Sequence, residues 1–182
     1  MNWSIESSDY IIQHHYFTAR KDVCKTPGGH MVDAYFVVEL PPSACAMALT
    51  QEGEVIMIQQ YRHPIGKTVL EVPGSFVDEN EDIATAMHRE LLEETGYEFS
   101  GMELLVKVAA NPGVLNNFTY LFLATGGKKV AAQKLDHNEE IVIELMPPEE
   151  VKNLLNDGKI VQALHACCLF YGFNKLALNN NR

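Results

Sequence analysis

Between His88 and Tyr97 the chain reads HRELLEETGY. Glu90, Glu93 and Glu94 stand at i, i+3 and i+4, which are neighbouring positions on one face of a helix. Like charges so placed repel by roughly 0.2–0.5 kcal/mol per pair on an exposed helix. Gly96 follows where a helix would stop. The acids therefore crowd a helix C-terminus, the end at which the macrodipole disfavours negative charge. A fold containing this stretch has to bring something positive to that end. A divalent cation meets the requirement: Mg²⁺ or Mn²⁺ prefers hard oxygen ligands, keeps several waters and takes further ligands from substrate phosphates. The upstream pattern agrees with a helix over 82–95. Acids from Asp78 to Asp82 suit its N-terminus. Ile83, Met87 and Leu91 recur at i, i+4 and i+8 as a core stripe, and Glu90 and Glu94 flank that stripe.

The rest of the chain alternates between strand and helix signals. Residues 9–22 read as one or two strands, and TPGGH (26–30) as a turn. Strands are expected at 30–40, 44–50, 54–60, 68–72, 101–108, 118–124 and 140–145. Pro73-Gly74 is expected to end the fourth of these. Helices are expected at 148–156 and 160–176, parted by Asp157-Gly158. This pattern is a mixed α/β domain, and 182 residues are enough for one with a real core.

Charge and cysteine usage narrow the function. The net charge is −10, which argues against nucleic acid as a partner. An acidic protein that handles an anionic small molecule needs a local positive centre, supplied by arginines or a metal. Cys24, Cys45, Cys167 and Cys168 form no CxxC and no zinc-type cluster with histidine. Reduced thiols and the polar start MNWSIESSDY point to a cytoplasmic protein. The apolar run 160–173 is too short to span a bilayer and contains Gln162 and His165; it reads as a buried helix. His14, His15, His30, His63, His88 and His165 show no ligand spacing. Trp3, Tyr10, Tyr16 and Phe17 have the chemistry to stack on adenine, although packing in a core or dimer is the better reading for each.

The segment GSFVDENEDIATAMHRELLEETGY resembles the Nudix box. Arg89, Glu90, Leu91, Glu93, Glu94, Gly96 and Tyr97 fit its core, and Glu81 lies eight residues before Arg89 as the box requires. The box glycine departs from the pattern. Its position, six before Glu81, holds Ser75, and the glycine is Gly74, one place early. A serine there is expected to force a small shift. QQYRHPIGKTVLEVPGS and NDGKI resemble the ADP-ribose and ADP-sugar pyrophosphatase branch, as does Pro112, fifteen residues beyond Tyr97. The resemblance implies an α/β fold: a Nudix α/β/α sandwich with a mixed sheet and an N-terminal antiparallel β segment. It divides the chain into that segment (1–40), contributing to a homodimer or to substrate binding, a hydrolase domain (41–178) and a frayed tail (179–182).

The resemblance also implies roles. Glu90, Glu93 and Glu94 would hold Mg²⁺ or Mn²⁺, with the Gly74 carbonyl and Glu139 as further ligands. Arg89 would orient the helix through an ion pair with Glu81 or Glu93. Arg62 would grip a diphosphate bidentately, and Glu71 would make a structural hydrogen bond or contact a ribose. In LDHNEEIVIE, Glu139 is the favoured ligand or base, with Glu140 and His137 as rival bases. Pro112 and Asn117 lie where the distal half of a substrate would be read, although this branch often has an acid where Asn116 and Asn117 stand. The implied reaction is cleavage of a nucleoside diphosphate linked to another moiety, with ADP-ribose giving AMP and ribose 5-phosphate as first choice. Two alternatives stay open: hydrolysis of another nucleoside diphosphate sugar or a dinucleotide, and a Nudix sensor domain that binds without cleaving.

Overall fold

The computed structural model describes residues 1–14, 17–137 and 139–180. The expectations for His15, Tyr16 and the end of the tail at 181–182 lie outside these. The chain forms two compact units: Met1–Pro42 with Ala109–Phe118, and Ser43–Val108 with the chain from Thr119 onward.

In the first unit β1 (Ser4–His14), β2 (Phe17–Lys25) and β3 (Met31–Glu39) make an antiparallel sheet in that order. The sheet is longer than residues 9–22 suggest. SIESSD has little strand propensity of its own, and pairing from Ser4 opposite Lys25 fixes it as strand. Every residue of β1 is exposed, including Ile5, Tyr10, Ile11 and Ile12. The segment 109–118 runs beside β3. Val38 N donates to Val114 O (2.8 Å), Asn116 N to Val38 O (3.1 Å) and the Tyr35 hydroxyl to Gly113 O (3.0 Å).

The second unit is built on β4 (Ser43–Thr50) and β10 (Thr119–Lys129), paired in parallel. β5 (Val55–Arg62) and β11 (Ile141–Met146) extend the sheet on the β4 side, and β9 (Gly101–Val108) lies antiparallel to β10. Side chains alternate across a strand, and β4 shows the result. Cys45, Met47 and Leu49 enter one core with Leu121 and Leu123, facing α2 (Pro148–Asn156) and α3 (Ala163–Asn180) through Val151, Leu155, Cys168 and Leu169. Ala44, Ala46 and Ala48 enter the other with Phe122 and Ala124, facing α1 (Ile83–Thr95) through Ala86, Met87 and Leu91. A strand buried on both faces reads as a continuous apolar run, as SACAMALT nearly does. The architecture is the expected α/β/α sandwich with a mixed sheet and an antiparallel N-terminal segment.

Three details differ from the sequence expectation, each for a local reason. β4 and β5 pair only at Ala48–Ile56 and Leu49–Val55. Beyond that, β5 takes β6 (Lys67–Glu71) as its partner and β4 takes β7 (Gly74–Phe76), so pairing resumes after Pro73 instead of ending there. Pro73 lacks a donor but keeps its carbonyl, which accepts from Ala46 N at 3.1 Å. β10 continues to Lys129 past an irregularity at Ala124–Gly127, and there it pairs with β8 (Tyr97–Glu98). α3 begins at Ala163, not residue 160, because the Gln162 side chain accepts from the backbone N–H groups of Leu164 (2.6 Å) and His165 (3.1 Å).

Candidate active site

Helix α1 delivers the acids, and both of its ends are well defined. Asp82 is the N-cap, accepting from Thr85 N at 3.0 Å. Gly96 is the C-cap, at φ 72°; a side chain there would also collide with the Ala131 carbonyl. The carbonyls left over at a helix C-terminus need donors, and the stretch 129–134 supplies them. Lys134 N donates to Glu93 O (2.8 Å), Gln133 Nε2 to Glu94 O (2.7 Å), Lys129 Nζ to Thr95 O (2.7 Å) and Val130 N to Gly96 O (2.9 Å). Lys129 thus brings a positive charge to the negative end of the helix dipole. Sequence reading missed this strap, because nothing in its residue types announces a partner so far away in the chain.

Each acid of the helix end is held by one oxygen. Arg89 Nη1 donates to Glu90 Oε1 (2.7 Å) and to Glu93 Oε2 (3.0 Å). The same guanidinium grips Glu81 bidentately, Nε to Oε1 at 3.0 Å and Nη2 to Oε2 at 2.9 Å. The third acid, Glu94, accepts from the backbone N–H of Gly74 through Oε2 at 3.1 Å. Arg89 holds Glu81 below the usual carboxylate range, and the Glu81 hydrogen bond in turn raises Arg89. Burial pushes Glu90 up. Glu94 is only 3% exposed, and burial together with the charge of Glu90 pushes it up to about 8.

Gly74 is placed for this contact by β7. A Cβ at residue 74 would lie 2.5 Å from both Ala44 O and Cys45 Cβ, so only glycine fits where β7 pairs with β4. Ser75 pairs with Ala44 in ordinary backbone: among the described residues the only non-glycine with positive φ is Asn80. The tight approach falls on Gly74.

A second polar cluster adjoins the first. Glu71 at the end of β6 is fully buried. Arg62 at the end of β5 binds it through Nε (3.2 and 3.1 Å) and Nη2 (2.5 Å), while its side chain stays 38% exposed. His165 Nδ1, from α3, lies 3.6 Å from Glu71 Oε2. Burial and the neighbouring Arg62 charge lower His165 to about 3, so its imidazole is neutral. The positive charge of Arg62 is also felt at Glu94, which it pulls down.

Glu139 lies on the loop that leads into β11. Its Oε2 accepts from Asp136 N at 3.1 Å, and its N–H donates to Asp136 O at 3.0 Å. Its charge acts on both Glu90 and Glu94. Gln133 Nε2, besides its bond to Glu94 O, donates to Ile141 O at 3.2 Å and so ties this loop to the helix end. His137 and Glu140 are exposed. Pro112 and Asn117 belong to the other unit. There Asn117 Nδ2 donates to Pro41 O (3.0 Å), while Asn116 Oδ1 accepts from Leu40 N (3.1 Å).

No three His, Cys, Asp or Glu side chains among the described residues converge as a ready-made metal cage. The donor set nonetheless suits a hard divalent cation. Carboxylates gather at one helix end, one of them pushed up by burial and by the charge of Glu90, each with a second oxygen beyond the one held by the described residues. Such a cation draws only part of its shell from protein.

Comparison with known proteins agrees with this geometry. Residues 39–164 match the NUDIX domain family, and residues 3–38 match the nucleoside diphosphate sugar hydrolase N-terminal domain. The chain is 35% identical over 134 residues to a methanol dehydrogenase activator of Bacillus methanolicus, covering 70% of this chain and 72% of that one. It is 28% identical over 137 residues to an ADP-ribose pyrophosphatase of Bacillus subtilis, 74% of each. It is 29% identical over 160 residues to an ADP-ribose pyrophosphatase of Mycobacterium tuberculosis, 87% of this chain and 77% of that one. The crystal structure of an ADP compounds hydrolase superposes with a TM-score of 0.84 at 17% identity, over 98% of this chain and 96% of that one, and so shares the fold.

Proposed function

The chain belongs to the NUDIX family and is a hydrolase acting on diphosphate bonds, and from that premise we propose that its substrate is ADP-ribose, cleaved to AMP and ribose 5-phosphate with Mg²⁺ or Mn²⁺. The observation that carries this reading is the set of three acids, Glu90, Glu93 and Glu94, each fixed by one oxygen at the end of α1 beside Gly74. Two of the relatives described above bear the name ADP-ribose pyrophosphatase.

In this reading the three glutamates, the Gly74 carbonyl and Glu139 hold the cation. When bound, it supplies positive charge against the diphosphate and lowers the pKa of water. The protein's own groups do the rest. Arg89 keeps Glu90 and Glu93 turned to one edge, so that ordering their carboxylates costs nothing at the moment of reaction. The Arg62 guanidinium, partly exposed beside the buried Glu71, takes a phosphate oxygen. Glu139 accepts the proton of the attacking water, with Glu140 and His137 as the neighbouring candidates.

A second substrate reading, another nucleoside diphosphate sugar, is favoured by one observation. The side chains of Asn116 and Asn117 are engaged with the backbone at Leu40 and Pro41, in the loop where this branch often carries an acid. A homodimer through the N-terminal sheet belongs to the same proposal. It is supported by the exposed Ile5, Tyr10, Ile11 and Ile12 of β1 and by the family match over 3–38. No helix among the described residues is long and apolar enough to cross a membrane.

The test is a panel of nucleoside diphosphate derivatives incubated with Mg²⁺ or Mn²⁺ and analysed by ³¹P NMR. ADP-ribose is expected to turn over fastest, to AMP and ribose 5-phosphate, and EDTA to stop the reaction. Faster turnover of another sugar nucleotide would favour the second reading. No cleavage of any member would overturn both.

A further inference from the structure

His165 Nδ1 stands out in the second polar cluster. It is the only buried side-chain nitrogen or oxygen among the described residues without a hydrogen-bond partner. Leaving a buried polar group unsatisfied is costly, so native structures rarely keep one without a reason. Here the orphan faces Glu71 Oε2 at 3.6 Å, just beyond hydrogen-bond range. Glu71 is fully buried, and among the described residues the hydrogen bonds to its carboxylate come from Arg62. Arg62 is the one partly exposed member of the trio and the only one able to turn toward a ligand. Any turn toward a phosphate would take donors away from a buried carboxylate. The imidazole is neutral and carries one ring proton to give.

We propose that His165 is a positioning residue for Arg62, acting through Glu71 as a reserve donor: Nδ1–H takes over Glu71 Oε2 when Arg62 turns to a diphosphate. The arrangement links three elements. α3 holds the reserve, β6 the buried acid and β5 the mobile cation. It explains why a polar ring is kept in an otherwise apolar helix segment, and why its nitrogen stops a few tenths of an ångström short of bonding. The inference rests on the reading of Arg62 as the diphosphate-binding group, so its decisive test uses no ligand.

In Arg62→Ala the donors to Glu71 are removed permanently. A ¹⁵N-resolved NMR spectrum is expected to show a His165 Nδ1–H resonance shifted downfield in Arg62→Ala relative to wild type. In urea unfolding, His165→Leu alone should lower the midpoint little, because it removes an orphan. Arg62→Ala with His165→Leu should lower it by more than the two single drops together. His165→Asn, whose amide can reach the Nδ1 position, should remove that excess. With ADP-ribose and Mg²⁺, His165→Leu should raise KM about tenfold with kcat nearly unchanged, and His165→Asn should restore most of it. Additive midpoints with an unshifted His165 resonance in Arg62→Ala would overturn the proposal. If the unfolding and NMR results hold while no diphosphate is cleaved, the substrate reading fails and the reserve-donor relationship stands.

Discussion

The backbone N–H of Gly74 donates to Glu94 Oε2 at 3.1 Å, joining the strand that pairs with β4 to the most deeply buried acid of the helix end. The contact depends on the absence of a Cβ at residue 74, where Ala44 O and Cys45 Cβ leave no space. Gly74→Ala should therefore destabilise the protein by about 1–3 kcal/mol through overpacking. Its loss of kcat should exceed what the unfolded fraction explains. Ser75→Gly should leave activity equal or higher, since Ser75 occupies ordinary backbone. Urea unfolding and kinetics on the two variants check both statements.

Glu94 gives a stability signature in metal-free buffer. Its folded pKa of about 8 lies above its ordinary 4.5, so between those values the folded state holds a proton that the unfolded chain has released. The stability contribution is fully present below about pH 4.5 and is lost as pH rises toward 8, at no more than about 1.4 kcal/mol per pH unit. Glu94→Gln should flatten that slope and stabilise the protein at pH 8. Both Glu94→Gln and Glu93→Gln should cost several orders of magnitude in kcat. Unfolding across the pH range, with and without Mg²⁺, reads the first effect, and steady-state kinetics read the second. Wild-type turnover in both variants would remove the catalytic assignment.

His165 titrates in the opposite sense. Its folded pKa of about 3 lies below the ordinary 6.5, so its contribution is present above pH 6.5 and lost as pH falls toward 3. His165→Leu should show a shallower acid-side decline than wild type. The comparison is read from urea midpoints between pH 4 and pH 6.5.

Arg89 binds three carboxylates with one planar group. Arg89→Lys keeps the charge but loses the fork, so Glu90 and Glu93 lose their common orientation. A fall of roughly 10- to 100-fold in metal affinity or kcat is expected, the range typical of groups that orient metal ligands. Isothermal titration with Mn²⁺ and initial rates would measure it.

Gln133 joins the Glu94 carbonyl to the Ile141 carbonyl. Gln133→Ala should lower kcat by loosening the loop that carries Glu139, with a stability loss of only about 1 kcal/mol. An unchanged kcat would show that this bridge does not position the loop.

The helix α1, its caps and its acids were legible in the sequence because all their determinants are local. A 3.6-residue stripe, an Asp at the start and a glycine at the end lie within fifteen residues. The central strands were legible because burial on both faces leaves an apolar run. The short β7 and β8 were not, because strands of three and two residues carry no periodicity; tertiary pairing alone defines them. The groups that finish the site were invisible for the same reason. Lys129, Gln133 and Lys134 reach back more than thirty residues to the end of α1. His165 gave no sign of its neighbour Glu71, ninety-four positions earlier in the chain.

The pairing of segment 109–118 with β3 bears on any attempt to re-engineer this chain. Three donors of the two stretches, Val38 N, Asn116 N and the Tyr35 hydroxyl, find their acceptors across the pair. Leu40 N and Pro41 O rely on the amides of Asn116 and Asn117. A graft that exchanged the loop by itself would orphan backbone groups on the recipient strand. Residues 31–41 and 109–118 therefore have to be transplanted together, as one cassette.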